Sequence, residues 1–189
     1  MFESLLQFWG GSFYLLNKIF FSQAERNNDQ EKIRFWRINS WIVYLIGLPA
    51  WVIIFLSERN WIAASVEGSG ALAMIIGLII AIRGKGKEPK WFDYIARLAI
   101  VVGITYSLYD FGGITTVTQL LEIGVTIGFL FGTYQLAKQN PTGYLWFLLM
   151  NSSNAILMLV QNYPWLFVQQ LISLGFVLDA FRVQKVKSR

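Results

Sequence analysis

The chain has 189 residues, of which 55% are hydrophobic and only 14% charged, with a formal net charge of +5. A soluble domain of this length carries about 25% charged residues, so the composition points to one compact bundle that uses the lipid bilayer as its solvent. The sequence has no Cys and no His, which excludes disulfides, thiol chemistry, imidazole metal sites and the commonest general base.

Seven apolar segments follow one another, each about 17–22 residues, close to the roughly 20 that a helix needs to cross the hydrocarbon core. The first, Leu5–Phe21, lacks the basic start and small-residue exit of a secretory leader and reads as a membrane span. A mixed-charge stretch, Ser22–Arg37, reads as the longest loop. The second segment, Ile38–Leu56, holds Asn39 and Ser40 near its start and Pro49 inside, where the missing N–H frees a carbonyl and predicts a kink.

The third segment, Trp61–Ile82, carries Glu67 about 9 Å below its outer end at about 1.5 Å per residue. A carboxylate inside hydrocarbon costs about 2.5–3.5 kcal/mol, so it is a functional group by default. It reads as a counter-charge for a cationic ligand or as a proton site; if the span begins near Gly70 instead, Glu67 is simply wet. The basic loop RGKGKEPK at 83–90 then divides the chain. In the fourth segment, Trp91–Tyr109, Asp93 and Arg97 stand four apart and pair, with Arg97 snorkelling outward.

The fifth segment, Val117–Ala137, repeats glycine at Gly124, Gly128 and Gly132, a stripe that lets a neighbouring backbone approach closely. Glu122 sits one turn below its outer end. The sixth, Tyr144–Val160, reads YLWFLLMNSSNAILMLV. Asn151 and Asn154 share a face, and Ser152 and Ser153 widen the polar patch. Such an amide needs a partner in helix, water or ligand, and interhelical bonding is the bland alternative to substrate contact. In the seventh, Trp165–Phe181, Gln169 and Ser173 share a face while Gln170 turns aside, so one glutamine is expected to line a cavity. Asp179 is expected to pair with Arg182 near the inner exit, or to line a vestibule there.

Counting connections alternately puts Lys18, the basic residues of 26–37 and 83–90, Arg97, Lys138 and those of 182–189 on one face; Arg59 alone lies on the other. Cytoplasmic loops carry the Lys/Arg excess, so the N-terminus is expected outside and the C-terminus inside. The basic residues therefore set topology and meet anionic lipid, and nucleic acid is not an expected partner. The halves also look related. Leu5-Leu6-Gln7 opens the first segment and Leu120-Leu121-Glu122 the fifth; Asn39-Ser40 and Asn151-Ser152 fall in the second and sixth; Gly77 and Gly175 precede Arg83 and Arg182. The predicted fold is all-α: two parallel triple-helix bundles (1–83 and 117–189) joined by a linker helix (84–116), seven spans in a single transmembrane domain. Neither G-x-G-x-x-G nor a Walker loop occurs, and no Ser–His–Asp, Cys–His or metal-ligand set exists, so no enzymatic activity and no cofactor is expected.

The segment from Thr118 to Arg182 resembles the last three helices of the PnuC family of bacterial vitamin transporters. The likeness rests on Trp146 about five residues before Asn151, a short loop, an aromatic opening, and a seventh helix with polar residues above a glycine. The resemblance implies a SWEET-like three-one-three architecture in the bacterial inner membrane. It implies pocket positions at Asn39, Glu67, Trp146, Asn151, Gln169 and Gln170, with glutamic acid at 67 where relatives carry glutamine. The expected function is facilitated uptake of a small water-soluble vitamin, nicotinamide riboside first among them, with Trp146 stacked on a heteroaromatic ring. A cytoplasmic vitamin kinase would trap the product, so that kinase, the vitamin, the lipid bilayer and a homo-oligomeric copy are the partners considered. The alternatives are a thiamine, riboflavin or sugar transporter on the same scaffold, or a non-transporting membrane subunit.

Overall fold

In the computed structural model, which describes residues 2–57, 59, 61–110 and 116–187, every apolar segment is an α-helix. The helices are α1 (Phe2–Arg26), α2 (Gln30–Ser57), α3 (Trp61–Arg83), α4 (Lys90–Asp110), α5 (Val117–Ala137), α6 (Gly143–Val160) and α7 (Pro164–Lys187). No strand occurs among the described residues. By length and hydropathy, five of them suit a membrane crossing: α2, α3 from Ala63, α5, α6 and α7. Of the other two, α1 carries Gln7, Asn17 and Lys18, and α4 opens on Lys90, Asp93 and Arg97.

The expected loop Ser22–Arg37 is mostly helical. Its good helix formers, with no Gly or Pro to interrupt them, extend α1 to Arg26 and start α2 at Gln30. The chain turns through residues 27–29, where Asp29 accepts a bond from the Glu31 N–H at 2.9 Å. On the opposite side, Thr116 caps α5 in a reciprocal box with Gln119. Residues 58, 60 and 111–115 of the two outer turns, and Arg189 of the basic set, lie outside the described residues.

Each helix packs on its sequence neighbours, α1 on α2 on α3 and α5 on α6 on α7. The two runs then meet along two seams, α3 against α5 and α7 against α1, closing a ring of six helices. α4 lies outside it, against α3 and α5. Side-chain bonds fix the direction of every helix. Arg26 reaches Asp179, Arg34 reaches the Ile82 carbonyl, Arg37 and Tyr144 reach Glu25, and Lys138 reaches Glu88. The last turns of α1, α3, α5 and α7 therefore share one end, here called the basic end, with the first turns of α2, α4 and α6.

Toward that end the ring is filled by Trp41, Tyr44, Met74, Phe129, Leu130 and Phe147, all nearly inaccessible to solvent. The expected glycine stripe is where α5 and α6 touch. A Cβ on Gly128 would stand 2.7 Å from both the Met150 nitrogen and the Trp146 oxygen. Gly124 packs on Ser153 and Gly132 on Phe147, so Ser153 is buried while Ser152 faces outward. In α2, Pro49 leaves the Leu45 carbonyl without its helical donor, and one residue on the Ile46 carbonyl takes the Trp9 indole N–H at 3.2 Å.

Candidate functional site: a polar cavity inside the helix ring

The packed core fills only part of the ring. The rest is a cavity of about 790 Å³, bordered by α1, α2, α3, α5, α6 and α7. Gln7, Gln161 and Tyr163 stand at its mouth, at the end away from the basic residues; Lys18, Asn151 and Ser173 line its deep part.

One helical face of α1 supplies much of the wall. Gln7, Gly11, Tyr14, Lys18, Ser22 and Glu25 recur at intervals of three or four and so stack along one side of the helix. Gly11 lies directly under Gln169, whose Nε2 donates to the Gly11 carbonyl at 2.7 Å. One turn on, the Tyr14 hydroxyl donates to Glu67 at 2.6 Å, bringing α1 and α3 together across the cavity edge. Glu67 lines the cavity, as does Glu122 of α5 nearer the mouth.

Lys18 departs most from the sequence reading. Counted with the cytoplasmic charges, it is instead buried at 2% exposure. Its Nζ donates to Asn17 Oδ1 at 3.0 Å and lies 3.8 Å from the Phe147 ring centre and 4.4 Å from that of Tyr44. Two aromatic faces attract an ammonium but do not replace a counter-ion. Among the described residues no carboxylate lies within 4.0 Å of it. The signal was available: Lys18 falls on the same face as Tyr14 and Gln7, and a residue four short of the apolar boundary reaches water only if its face looks outward.

Of the six positions singled out in the sequence, Glu67, Asn151, Gln169 and Gln170 line the cavity. Both glutamines do so, not one as expected, because the wall wraps around the mouth end of α7 and collects residues from adjacent faces. Asn39 and Trp146 lie elsewhere. Asn39 sits early in α2 and donates to its own helix, at the Phe35 carbonyl 2.8 Å away. The Trp146 ring stacks on Phe131 at 5.3 Å between centres, on the side of the α5–α6 pair away from the cavity lining. Aromatic contact inside the cavity comes from residues not singled out, Tyr14, Trp51 and Phe129 among them.

Two buried polar atoms on the cavity wall have no partner. Asn151 is 1% exposed and gives its amide N–H to the Phe147 carbonyl at 2.6 Å, which leaves Oδ1 unbonded. The Trp51 indole N–H is likewise unbonded. A buried donor or acceptor left unpaired costs about 1–3 kcal/mol, and this wall holds one of each.

Below the cavity, the basic end is tied shut by charge. Asp179 pairs with Arg26 through two bonds of 2.6 and 2.8 Å and accepts from Ser22 at 2.5 Å. The hydrogen-bonded partner is Arg26 on α1, a contact between elements far apart in sequence, while the expected Arg182 contributes its charge without a bond. Glu25 binds Arg37 at 3.2 Å and the Tyr144 hydroxyl at 3.0 Å, joining α1, α2 and α6. Asp93 and Arg97 do pair, at 2.8 Å, and Lys138 joins them at 2.8 Å. Among the described residues no cluster of carboxylates suits a metal ion.

Compared with protein-family models, with curated proteins and with solved structures, the chain matches none of them.

Proposed function

We propose that this chain is a facilitative membrane transporter for a small water-soluble vitamin, with nicotinamide riboside the first ligand to test. The observation that carries the proposal is the 790 Å³ cavity with an unbonded acceptor, Asn151 Oδ1, and an unbonded donor, the Trp51 indole N–H, in its wall. Its size suits a drug- or nucleoside-sized solute, for which pockets of about 300–1,000 Å³ are usual. Asn151 accepts from a ribose hydroxyl or a carboxamide. Trp51 donates to a ligand oxygen and, with Tyr14, supplies the ring contact that the family resemblance had given to Trp146. Glu67 balances a positively charged ring.

In this proposal all seven helices span the bacterial inner membrane, three, one and three, with the basic end in the cytoplasm because Lys/Arg loops are retained there. The repeated neighbour pattern of α1–α3 and α5–α7 supports two related units that rock about their seams to alternate access. The cavity mouth, at the end opposite the basic residues, then faces outward, and the Arg26–Asp179 and Glu25 bonds close the inner side. Pro49 serves as a hinge. A cytoplasmic kinase traps the product and keeps the free-vitamin gradient inward.

The test is thermal stabilisation of purified protein across nicotinamide riboside, thiamine, riboflavin and hexoses. A bound ligand at 100 times its Kd adds about 2.7 kcal/mol. No response to any of them rejects vitamin and sugar binding alike. A second reading, a non-transporting membrane subunit, is favoured by the Gln169–Gly11 bond, which uses an amide as a tie between α7 and α1, and by the Asn151–Phe147 bond, which spends the other amide on its own helix. Under it, Asn151→Leu changes nothing but stability; under the first, ligand response disappears while the protein still folds and inserts.

A further inference from the structure

Resting on the solute-binding function proposed above, we infer that the cavity selects a zwitterion: its ligand carries a carboxylate, taken by Lys18, as well as a positive ring, taken by Glu67. Lys18 and Glu67 line the same cavity from α1 and α3. The ammonium is buried, has one hydrogen-bond acceptor, and faces two rings that offer no formal charge. An ammonium offers three N–H donors, and with no carboxylate within 4.0 Å among the described residues its charge is answered only at longer range, by Glu67. A solute that is only cationic answers Glu67 and is repelled by Lys18. One that is only anionic does the reverse. A solute bearing both charges answers both.

The two charges are also ordered along the cavity. Tyr14, which bonds Glu67, precedes Lys18 by four residues of α1, so the Lys18 backbone lies about 6 Å deeper at 1.5 Å per residue. Glu122, the remaining carboxylate in the wall, sits nearer the mouth and adds negative potential on the shallow side. The positive ring therefore lies toward the mouth, between Glu67 and Glu122, and the carboxylate points inward to the ammonium. The Asn151 oxygen, in the deep part, faces the ligand's hydroxyls. Tyr14 and Tyr163 are the other titratable groups in the wall, and each hydroxyl can donate one hydrogen bond.

A matched pair of ligands isolates the claim. Nicotinic acid riboside and nicotinamide riboside differ by a carboxylate in place of a carboxamide, and so in net charge. Binding of each is measured by calorimetry on the purified full chain, for the wild type, Lys18→Met and Lys18→Arg. The expected result is at least tenfold tighter binding of the carboxylate by the wild type, kept by Lys18→Arg and lost in Lys18→Met. Should Lys18→Met fail to fold, the wild-type ratio and Lys18→Arg still decide. Equal binding of the two ligands by the wild type, or a preference that survives Lys18→Met, overturns the zwitterion assignment while leaving vitamin binding intact. Absence of binding by either ligand, with none from thiamine, riboflavin or hexoses, overturns the transport proposal beneath it.

Discussion

Gly128→Ala should destabilise the protein and loosen its cavity together, although the residue lines no part of the cavity. The added Cβ would lie 2.7 Å from the Met150 nitrogen and the Trp146 oxygen, both backbone atoms that no rotamer change can move. Ordinary contact begins at 3.4 Å, so α5 and α6 must separate by about 0.7 Å at this point, the difference of the two distances. Overpacking of this kind costs about 1–3 kcal/mol, offset by up to ~1 kcal/mol because alanine favours the helix. A net loss of about 1–2 kcal/mol lowers the Tm by about 2–8 °C in a chain of this size. Met150 directly precedes Asn151, so displacing α6 also shifts the Asn151 oxygen and weakens stabilisation by ligand. The assay is thermal unfolding followed by tryptophan fluorescence in detergent, with and without ligand. Gly68→Ala and Gly175→Ala are the controls, since no atom stands within 4 Å of a Cβ at either site and both should gain up to ~1 kcal/mol. A Gly128→Ala protein as stable as wild type, or a Gly175→Ala protein that unfolds earlier, would refute the packing argument.

Trp51→Phe removes a buried N–H that has no partner, so it should leave the Tm unchanged or raise it while cutting ligand affinity tenfold or more; an unchanged Kd by calorimetry counts against the donor role. Trp146→Leu, which removes the stack on Phe131, should lower the Tm by a few degrees and leave the Kd of any bound ligand unaltered. At the basic end, burial pushes the Glu88 carboxyl up, but bonds from Lys138 and the backbone outweigh it and hold the group below its usual value of 4.5. Its contribution to stability is therefore present above that value and lost as the pH falls through the depressed one. Glu88→Gln should unfold earlier than wild type at pH 7, and the gap between the two melting curves should close in acid; a constant gap from pH 7 to pH 3 would show that Glu88 acts by packing alone.

The helices were legible because each depends on a run of residues and not on its neighbours. Seven apolar stretches become seven helices, and α5 occupies the expected Val117–Ala137. The Gly124–Gly128–Gly132 repeat forecast a close helix contact because only backbone fits there. Charge patterning placed nearly all Lys and Arg at one end, and Glu67 and Asn151 stood out as polar groups too deep to go unpartnered.

What the sequence could not fix was which way a side chain faces around its helix axis, since that depends on the packing partner. Lys18 was counted with the cytoplasmic charges, yet the seam between α1 and α7 turns its face inward, onto Phe147 and the cavity. Trp146 was assigned to the ligand, yet the close approach of α5 and α6 at Gly128 and Gly132 turns its ring outward onto Phe131. Asp179 was matched to a neighbour on its own helix, while the bundle offers Arg26 from a segment 153 positions away. Periodicity and hydropathy are local properties and can be read along the chain. A cavity is the space left where six helices fail to touch, and only their packing decides which residues surround it.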